Sequence, residues 1–168
     1  MQMNGLSKQA WKIYGLFIAG TELVGALSGF LTRTGTKLYQ AKVVKPPLNP
    51  PAVVFPVVWG ILYALMGIGA ARVWMSPPSK ARTNGLRVFG IQLAANFLWS
   101  IVFFNLQAYG FALLWLAGLW FLILIMILQF YRVDKKAAWM QIPYLIWLTL
   151  AGYLNLSIYF LNRLNFHS

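Results

Sequence analysis

The sequence has no cysteine, two acidic residues and one histidine among its 168 residues. Without cysteine, the chain forms no disulfide and has no thiolate for catalysis or metal binding. Its histidine, His167, lies in the C-terminal segment. Two carboxylates and one imidazole in that position do not make an ordinary metal site or a Ser/His/Asp triad. A glycine-rich phosphate-binding loop is also missing. These absences argue against ordinary hydrolytic and metal-dependent chemistry, and we expect no obligatory cofactor.

Charge of either sign is scarce. Charged residues make up 10% of the chain, whereas soluble domains contain about 25%. Apolar residues make up 60%, and the mean hydropathy is +0.66. A soluble domain of this length leaves too much of its surface in water to hide so many apolar side chains. The composition therefore predicts an integral membrane protein.

The charge that is present is almost entirely basic, with 14 Lys and Arg giving a net charge of +12. These residues form short clusters between long apolar runs, and they do not form a single stripe or tail. Such clusters at helix ends are typical of membrane topology and of contact with anionic headgroups. The pattern predicts the lipid bilayer as a partner and argues against nucleic-acid binding.

Five apolar stretches are long enough to cross a bilayer as helices. The predicted spans are 13–31, 52–74, 86–105, 109–131 and 137–161. The third and fourth are counted separately because the 44 residues from Val88 to Tyr131 carry no charge and are about twice what one helix needs. Continuous apolar runs without strand-like alternation argue against a barrel. The predicted fold is an all-α, single-domain membrane bundle of five transmembrane helices.

The connections between the spans are also partly predictable. The polar stretch 32–45 is followed by four prolines within residues 46–51, which cannot lie inside a regular helix. We therefore expect a long first loop that ends in a rigid, extended entry to the second span. In the fifth span, Pro143 predicts a kink because it removes a backbone hydrogen bond.

The distribution of basic residues predicts the orientation. The side that holds the N-terminus receives nine of them: Lys8, Lys12, Arg72, Lys80, Arg82, Arg87, Arg132, Lys135 and Lys136. The other side receives five: Arg33, Lys37, Lys42, Lys45 and Arg163. This excess favours a cytoplasmic N-terminus.

Glu22 lies near the middle of the first span, where an ionisable group is costly and normally faces the bundle interior or water. One interpretation is a proton-linked or ligand-contacting carboxyl. The other is a protonated or hydrogen-bonded carboxyl that fastens the first helix to a neighbour. Gly25 and Gly29 follow at four-residue spacing and permit close helix contact, which favours the second interpretation.

Polar and aromatic side chains also recur away from the membrane interfaces. Gln92, Asn96 and Trp99 are spaced to share one face of the third helix. They form either interhelical hydrogen bonds or the polar rim of a ligand cavity with aromatic walls. Trp59 and Trp147 lie deeper than an interfacial belt and are better candidates for such a wall than the tryptophans near span ends.

Several segments, taken together and in order, resemble the translocator protein family. It is also called the tryptophan-rich sensory protein, peripheral benzodiazepine receptor or TspO/MBR family. The matching segments are Glu22-Leu23-Val24-Gly25, residues 45–51 (KPPLNPP), residues 54–63 (VFPVVWGILY), Met66-Gly67, Gln92-Leu93 with Asn96 and Trp99, Phe103-Phe104, Pro143-Tyr144-Leu145, Trp147 and Leu154-Asn155. The first of these is typical of bacterial members. Leu48 and Val53 stand where many members have tryptophan, so the loop-side rim of the pocket differs.

The resemblance implies a five-helix bundle that binds porphyrins and haem-type tetrapyrroles and, in animals, cholesterol and synthetic drugs. The implied cavity lies inside the bundle beneath the first loop. Carried over by position, its lining residues are Trp59, Tyr63, Asn96, Trp99, Tyr144, Trp147 and Ala151. Glu22 is a further candidate from the interpretation above.

The function implied by the resemblance is a membrane receptor or sensor for porphyrin-type ligands in a bacterial plasma membrane. A homodimer is also implied, for which Gly90 and Ala94 are a candidate contact. Two alternatives remain open. Protoporphyrin is degraded in light and oxygen by some members, with Trp59 and Trp147 as candidate participants here. Transport of tetrapyrroles or sterols would use Glu22 as a coupling carboxylate, but no inverted repeat is visible.

Overall fold

The computed structural model describes residues 2–163, with side chains from Ser7 onward, so His167 lies outside the described residues. The helices are α1 (Gln2–Lys42), α2 (Val54–Met75), α3 (Lys80–Ser100), α4 (Tyr109–Tyr131), α5 (Lys135–Trp139) and α6 (Ile142–Asn162). A π-helical turn, Ile101–Asn105, continues α3. Within the described residues, five helical stretches are long and apolar enough to cross a membrane, the fifth comprising α5 and α6. The predicted all-α membrane fold is confirmed.

The bundle packs α1 along α2, α3 along α4, and α4 along α6. Most of its buried apolar side chains come from α2, α4 and α6, and Met66, Ile123 and Ile158 are fully buried. Large apolar side chains also cover the outside of the bundle, as at Leu16 and Leu114. Such a surface suits contact with lipid, because exposing so many apolar side chains to water would be unfavourable.

The first helix is longer than the predicted span 13–31. It continues to Lys42, so the polar stretch expected to be loop is mostly helical and the connection to α2 is residues 43–53. No proline interrupts this part, and Tyr39 packs its ring 5.6 Å from Phe103 and 5.5 Å from Phe104, measured between centroids. At about 1.5 Å per residue, α1 is about 60 Å long, roughly twice the hydrocarbon thickness.

The fifth span is broken where only a kink was predicted. The short α5 ends at Trp139 and α6 begins at Ile142, so Pro143 lies in the first turn of α6. A proline is tolerated there because the amides of the first turn have no intrahelical partner. The side-chain amide of Gln141, at the break, donates to the carbonyls of Leu65 (3.2 Å) and Ala137 (3.3 Å). These bonds fix the break against α2.

The end of the bundle near α5 carries an ion pair. The Asp134 carboxylate accepts from the Ala137 amide at 3.0 Å, which caps α5, and lies 2.7 Å from the Arg72 guanidinium. Burial raises the pKa of the Asp134 carboxyl, but the amide and the guanidinium outweigh it and hold that pKa below its ordinary value of 3.8. The pair joins α2 to the loop that precedes α5.

The other helix bounds differ less from the predicted spans. The second helix begins two residues after the predicted start, at Val54, and α4 has the bounds predicted for the fourth span. The third helix begins at Lys80, before the predicted start at 86. The reason is the Ser79 side chain, which accepts a hydrogen bond from the Arg82 amide at 3.1 Å and caps the helix there.

Candidate functional site

A cavity of about 960 Å³ lies between α1, α2, the junction of α3 with the π turn, and α6. Lys45 and residues 49–52 of the connection between α1 and α2 contribute to its wall at the end of the bundle remote from α5. Its volume is at the upper end of the range of about 300–1,000 Å³ that small-molecule sites occupy. The cavity therefore has room for a large organic molecule.

Aromatic side chains form much of the wall. The ring of Trp59 lies 5.6 Å from that of Tyr63, and the ring of Trp147 lies 5.8 Å from that of Phe55. Trp99 lines the cavity from α3, and its indole N–H donates to the Ala112 carbonyl of α4 at 3.0 Å. With its polar group satisfied by the protein, Trp99 presents an apolar surface. The aromatic lining residues are Tyr39, Phe55, Trp59, Tyr63, Trp99, Phe103, Phe104 and Trp147.

The position of Tyr63 is fixed from three directions. Its ring lies directly against Gly25, where even a Cβ atom would overlap it. Its backbone carbonyl accepts from the Thr21 hydroxyl at 2.8 Å, which joins α1 to α2. Its own hydroxyl accepts from the Asn96 side-chain amide at 2.9 Å. A side chain held in this way is preorganised in the cavity wall.

Two residues predicted to line the pocket lie behind it. Asn96 is buried and reaches the cavity only through Tyr63. Tyr144 is also buried, and its hydroxyl donates to the Gln92 side-chain oxygen at 3.1 Å, while its ring lies 6.0 Å from Trp59. The polar face predicted on α3 is therefore a set of interhelical hydrogen bonds that support the wall. The other predicted residues line the cavity itself: Glu22, Trp59, Tyr63, Trp99, Trp147 and Ala151.

Glu22 lines the cavity and is half-buried. It takes part in no salt bridge among the described residues. The hydroxyl of the preceding residue, Thr21, makes the hydrogen bond that fastens α1 to α2. Glu22 therefore lies in the cavity wall, and the hydrogen bond that joins α1 to α2 comes from Thr21.

Sequence reasoning missed the polar residues near the mouth of the cavity. Thr32, Arg33, Thr36 and Lys37 line it from α1, and Lys45 lines it from the loop. The signal was available in the spacing, because lining residues recur every three or four positions along α1 from Glu22 to Gln40. It was missed because this part of α1 was interpreted as loop. Asn155 and the Phe103-Phe104 pair are among the other lining residues that were not predicted.

Comparison with known proteins agrees with the sequence motifs. The TspO/MBR family model matches residues 17–161. The chain is 39% identical over 140 residues to the tryptophan-rich protein TspO of Chlorobaculum tepidum, covering 83% of this chain and 89% of that protein. It is 34% identical over 142 residues to the translocator protein of Bos taurus, covering 81% and 84%. It is 37% identical over 118 residues to the tryptophan-rich sensory protein of Cereibacter sphaeroides, covering 70% and 73%.

Proposed function

We propose, since this chain belongs to the TspO/MBR family, that it is a membrane receptor that binds a porphyrin-type tetrapyrrole in the cavity. The observation that carries the proposal is the cavity of about 960 Å³ with Phe55, Trp59, Tyr63, Trp99 and Trp147 in its wall. Aromatic rings in offset or edge-to-face contact stabilise a flat conjugated ligand beyond the burial of its area.

The polar groups of the wall support the same class of ligand. The Tyr63 hydroxyl accepts a hydrogen bond from Asn96, so its own proton is not used in that bond. A small number of polar groups in a largely apolar pocket is enough to fix the orientation of a ligand, and it adds little desolvation cost. A tetrapyrrole, with an apolar ring and polar edge groups, satisfies both parts of the wall.

The proposal includes a location and an assembly. The chain resides in a bacterial plasma membrane with its N-terminus in the cytoplasm, supported by the excess of basic residues on that side. The cavity mouth then faces the opposite side of the membrane. The proposed homodimer contact is on α3. A Cβ at Gly90 would meet nothing within 4 Å, and Ala94 is exposed one turn later on the same face. Two small exposed residues at this spacing let a second helix approach closely.

A titration in the dark tests ligand binding. The purified protein in maltoside micelles is titrated with protoporphyrin while tryptophan fluorescence is recorded, because Trp59, Trp99 and Trp147 line the cavity. We expect saturable quenching with one porphyrin per chain. Quenching that rises linearly and matches that of an unrelated tryptophan-containing membrane protein in the same micelles would overturn the proposal.

A second candidate function is the oxidation of bound porphyrin by molecular oxygen in light. The observation that favours it is that two electron-rich side chains, Trp59 and Trp147, both line the cavity. Under this function, illumination in air bleaches bound porphyrin faster than free porphyrin. The difference disappears under argon and in the variant Trp59→Phe with Trp147→Phe, provided that this variant still binds in the dark. Equal bleaching of bound and free porphyrin rejects this candidate and leaves the receptor proposal intact.

A further inference from the structure

One face of α1 changes in chemical character along the cavity. From the deep end towards the mouth, it presents Glu22, then small residues at positions 25, 26, 28 and 29, then Thr32 and Thr36 with their hydroxyls. Alongside the hydroxyls come the cations Arg33 and Lys37. The cavity is therefore apolar and acid-bearing at depth, and basic at its opening.

A third cation completes this basic rim, which consists of Arg33, Lys37 and Lys45. The Lys45 ammonium donates to the Gln40 carbonyl at 2.8 Å and lies 5.4 Å from the centre of the Tyr39 ring. The Arg33 guanidinium lies 4.2 Å from the centre of the Phe30 ring. Because Tyr39 lines the cavity, its contact keeps the Lys45 charge at the mouth, whereas Phe30 is exposed and is not a lining residue. Neither contact neutralises a charge, since a carbonyl and an aromatic face carry no net charge.

Among the described residues, no acidic side chain is paired with the basic rim. The whole chain has two acidic residues. Asp134 is paired with Arg72 at the end of the bundle near α5. Glu22 precedes Arg33 by eleven positions on the same helix, which is about 16 Å at 1.5 Å per residue. Within the described residues, no salt bridge involves a cation of the rim. In the described part of the chain, three positive charges therefore border an apolar cavity with no acidic side chain paired to them.

We infer that the basic rim binds the carboxylates of an amphiphilic ligand whose planar apolar body lies between the aromatic walls. The inference rests on the proposed function and adds an orientation to it: the acidic edge of the tetrapyrrole faces Arg33, Lys37 and Lys45, and its apolar edge enters first. The opposite orientation would place a carboxylate beside Glu22, where no cation lines the cavity. Ion pairing at the mouth combines with burial of the ring and selects acidic ligands over neutral ones of the same shape.

Lipid phosphates could also occupy a basic rim at a membrane surface. The two sources of anion give different results with a matched pair of probes, protoporphyrin and its dimethyl ester, titrated in the dark in maltoside micelles that contain no phosphate. If the rim binds the ligand, we expect the free acid to bind about tenfold more tightly than the ester, since each partly exposed ion pair contributes only a few-fold. If the rim binds headgroups alone, the two probes bind equally.

The variant Arg33→Gln, Lys37→Gln, Lys45→Gln removes the rim. Its affinity for the free acid should fall to that for the ester, while its affinity for the ester stays at the wild-type value, which also shows that the cavity is folded. The matched control Lys8→Gln, Lys12→Gln, Lys80→Gln removes equal charge at the other end of the bundle and should keep the tenfold ratio.

Each outcome separates the two proposals. If both probes saturate wild type with equal affinity, or the rim variant keeps the ratio, the basic rim does not bind ligand carboxylates, and the receptor proposal stands. If neither probe saturates wild type, the receptor proposal fails and the rim inference fails with it. Loss of the ratio in the control variant as well would show a general charge effect and overturn the inference.

Discussion

The side-chain amide of Asn96 on α3 donates to the hydroxyl of Tyr63 on α2 at 2.9 Å, and both side chains are buried. Only Tyr63 reaches the cavity. Asn96 therefore holds an element of the wall from behind and acts as a positioning residue for it.

Replacing this amide should weaken ligand binding through Tyr63 alone. In Asn96→Leu, we expect protoporphyrin affinity to fall about fivefold, because the ring loses one hydrogen bond of about 1 kcal/mol that holds it. The dark fluorescence titration measures this. In a Tyr63→Phe background the same substitution should have little effect, since the bond is already absent. An equal fall in both backgrounds would mean that Asn96 acts on the ligand by another route.

The close contact between α1 and α2 at Gly67 should be sensitive to one methyl group. A Cβ on Gly67 would lie 2.7 Å from the Ile18 Cα and 2.8 Å from the Thr21 hydroxyl oxygen. Because backbone atoms cannot rotate away, we expect Gly67→Ala to lower the free energy of unfolding by about 1–3 kcal/mol. Thermal unfolding in micelles, followed by circular dichroism, measures the loss.

The control for that substitution is Gly20→Ala, where a Cβ would meet nothing within 4 Å. Both substitutions place alanine in a helix and gain the same helix propensity. The control should therefore unfold at or above the wild-type temperature. If Gly67→Ala unfolds together with the control, the helices separate at this point without cost.

A side chain added at Gly60 should fill the cavity. Gly60 lines the cavity, and a Cβ there would meet nothing within 4 Å, so leucine fits the protein but competes with a ligand. We expect Gly60→Leu to reduce protoporphyrin affinity about tenfold or more, since overpacking costs about 1–3 kcal/mol. Gly118→Leu on α4 is the matched control, because that glycine is equally open but does not line the cavity. Parallel loss of affinity in both variants would place the ligand elsewhere.

The ion pair between Asp134 and Arg72 should make stability depend on acidity. The folded-state pKa of the Asp134 carboxyl is held below its ordinary value of 3.8. Its stabilising contribution is therefore fully present above the ordinary value and is lost as the pH falls through the lowered one. We expect Asp134→Asn to unfold at a lower temperature than wild type at neutral pH, with the gap closing in strong acid. A gap that is independent of pH would show that the charge does not stabilise the fold.

The sequence was informative wherever lipid sets the pattern. The bounds of α4 follow from the uncharged run that ends at Tyr131, because a helix in hydrocarbon must satisfy its own backbone and carry few charges. Burial of Gln92, Asn96 and Trp99 on one face of α3 follows from their spacing. Spacing cannot show which helix this face meets, and it left interhelical bonding and a cavity rim both open. The family resemblance implied that Asn96 lines the pocket, whereas it supports Tyr63 from behind.

The sequence was misleading where a helix leaves the membrane. From Thr32 onward, polar residues in α1 resemble a loop when a span is judged by hydropathy alone. The helix persists because Tyr39 packs on Phe103 and Phe104 and because its hydroxyls and cations line the cavity mouth. Such tertiary contacts override local composition. The same error hid the basic rim, since Arg33 and Lys37 were counted as loop residues that set the orientation.

The π turn at Ile101–Asn105 has a consequence for how this chain tolerates a change in length. The amide of Leu106 bonds to the carbonyl of Ile101 at 3.1 Å, five positions back, so the turn holds one residue more than an α-helix would in the same length. Deleting that residue would restore regular α-helical winding over the same length, because the extra residue is accommodated within the turn itself. A single codon lost here would therefore shorten the turn and leave the faces of α3 where they are.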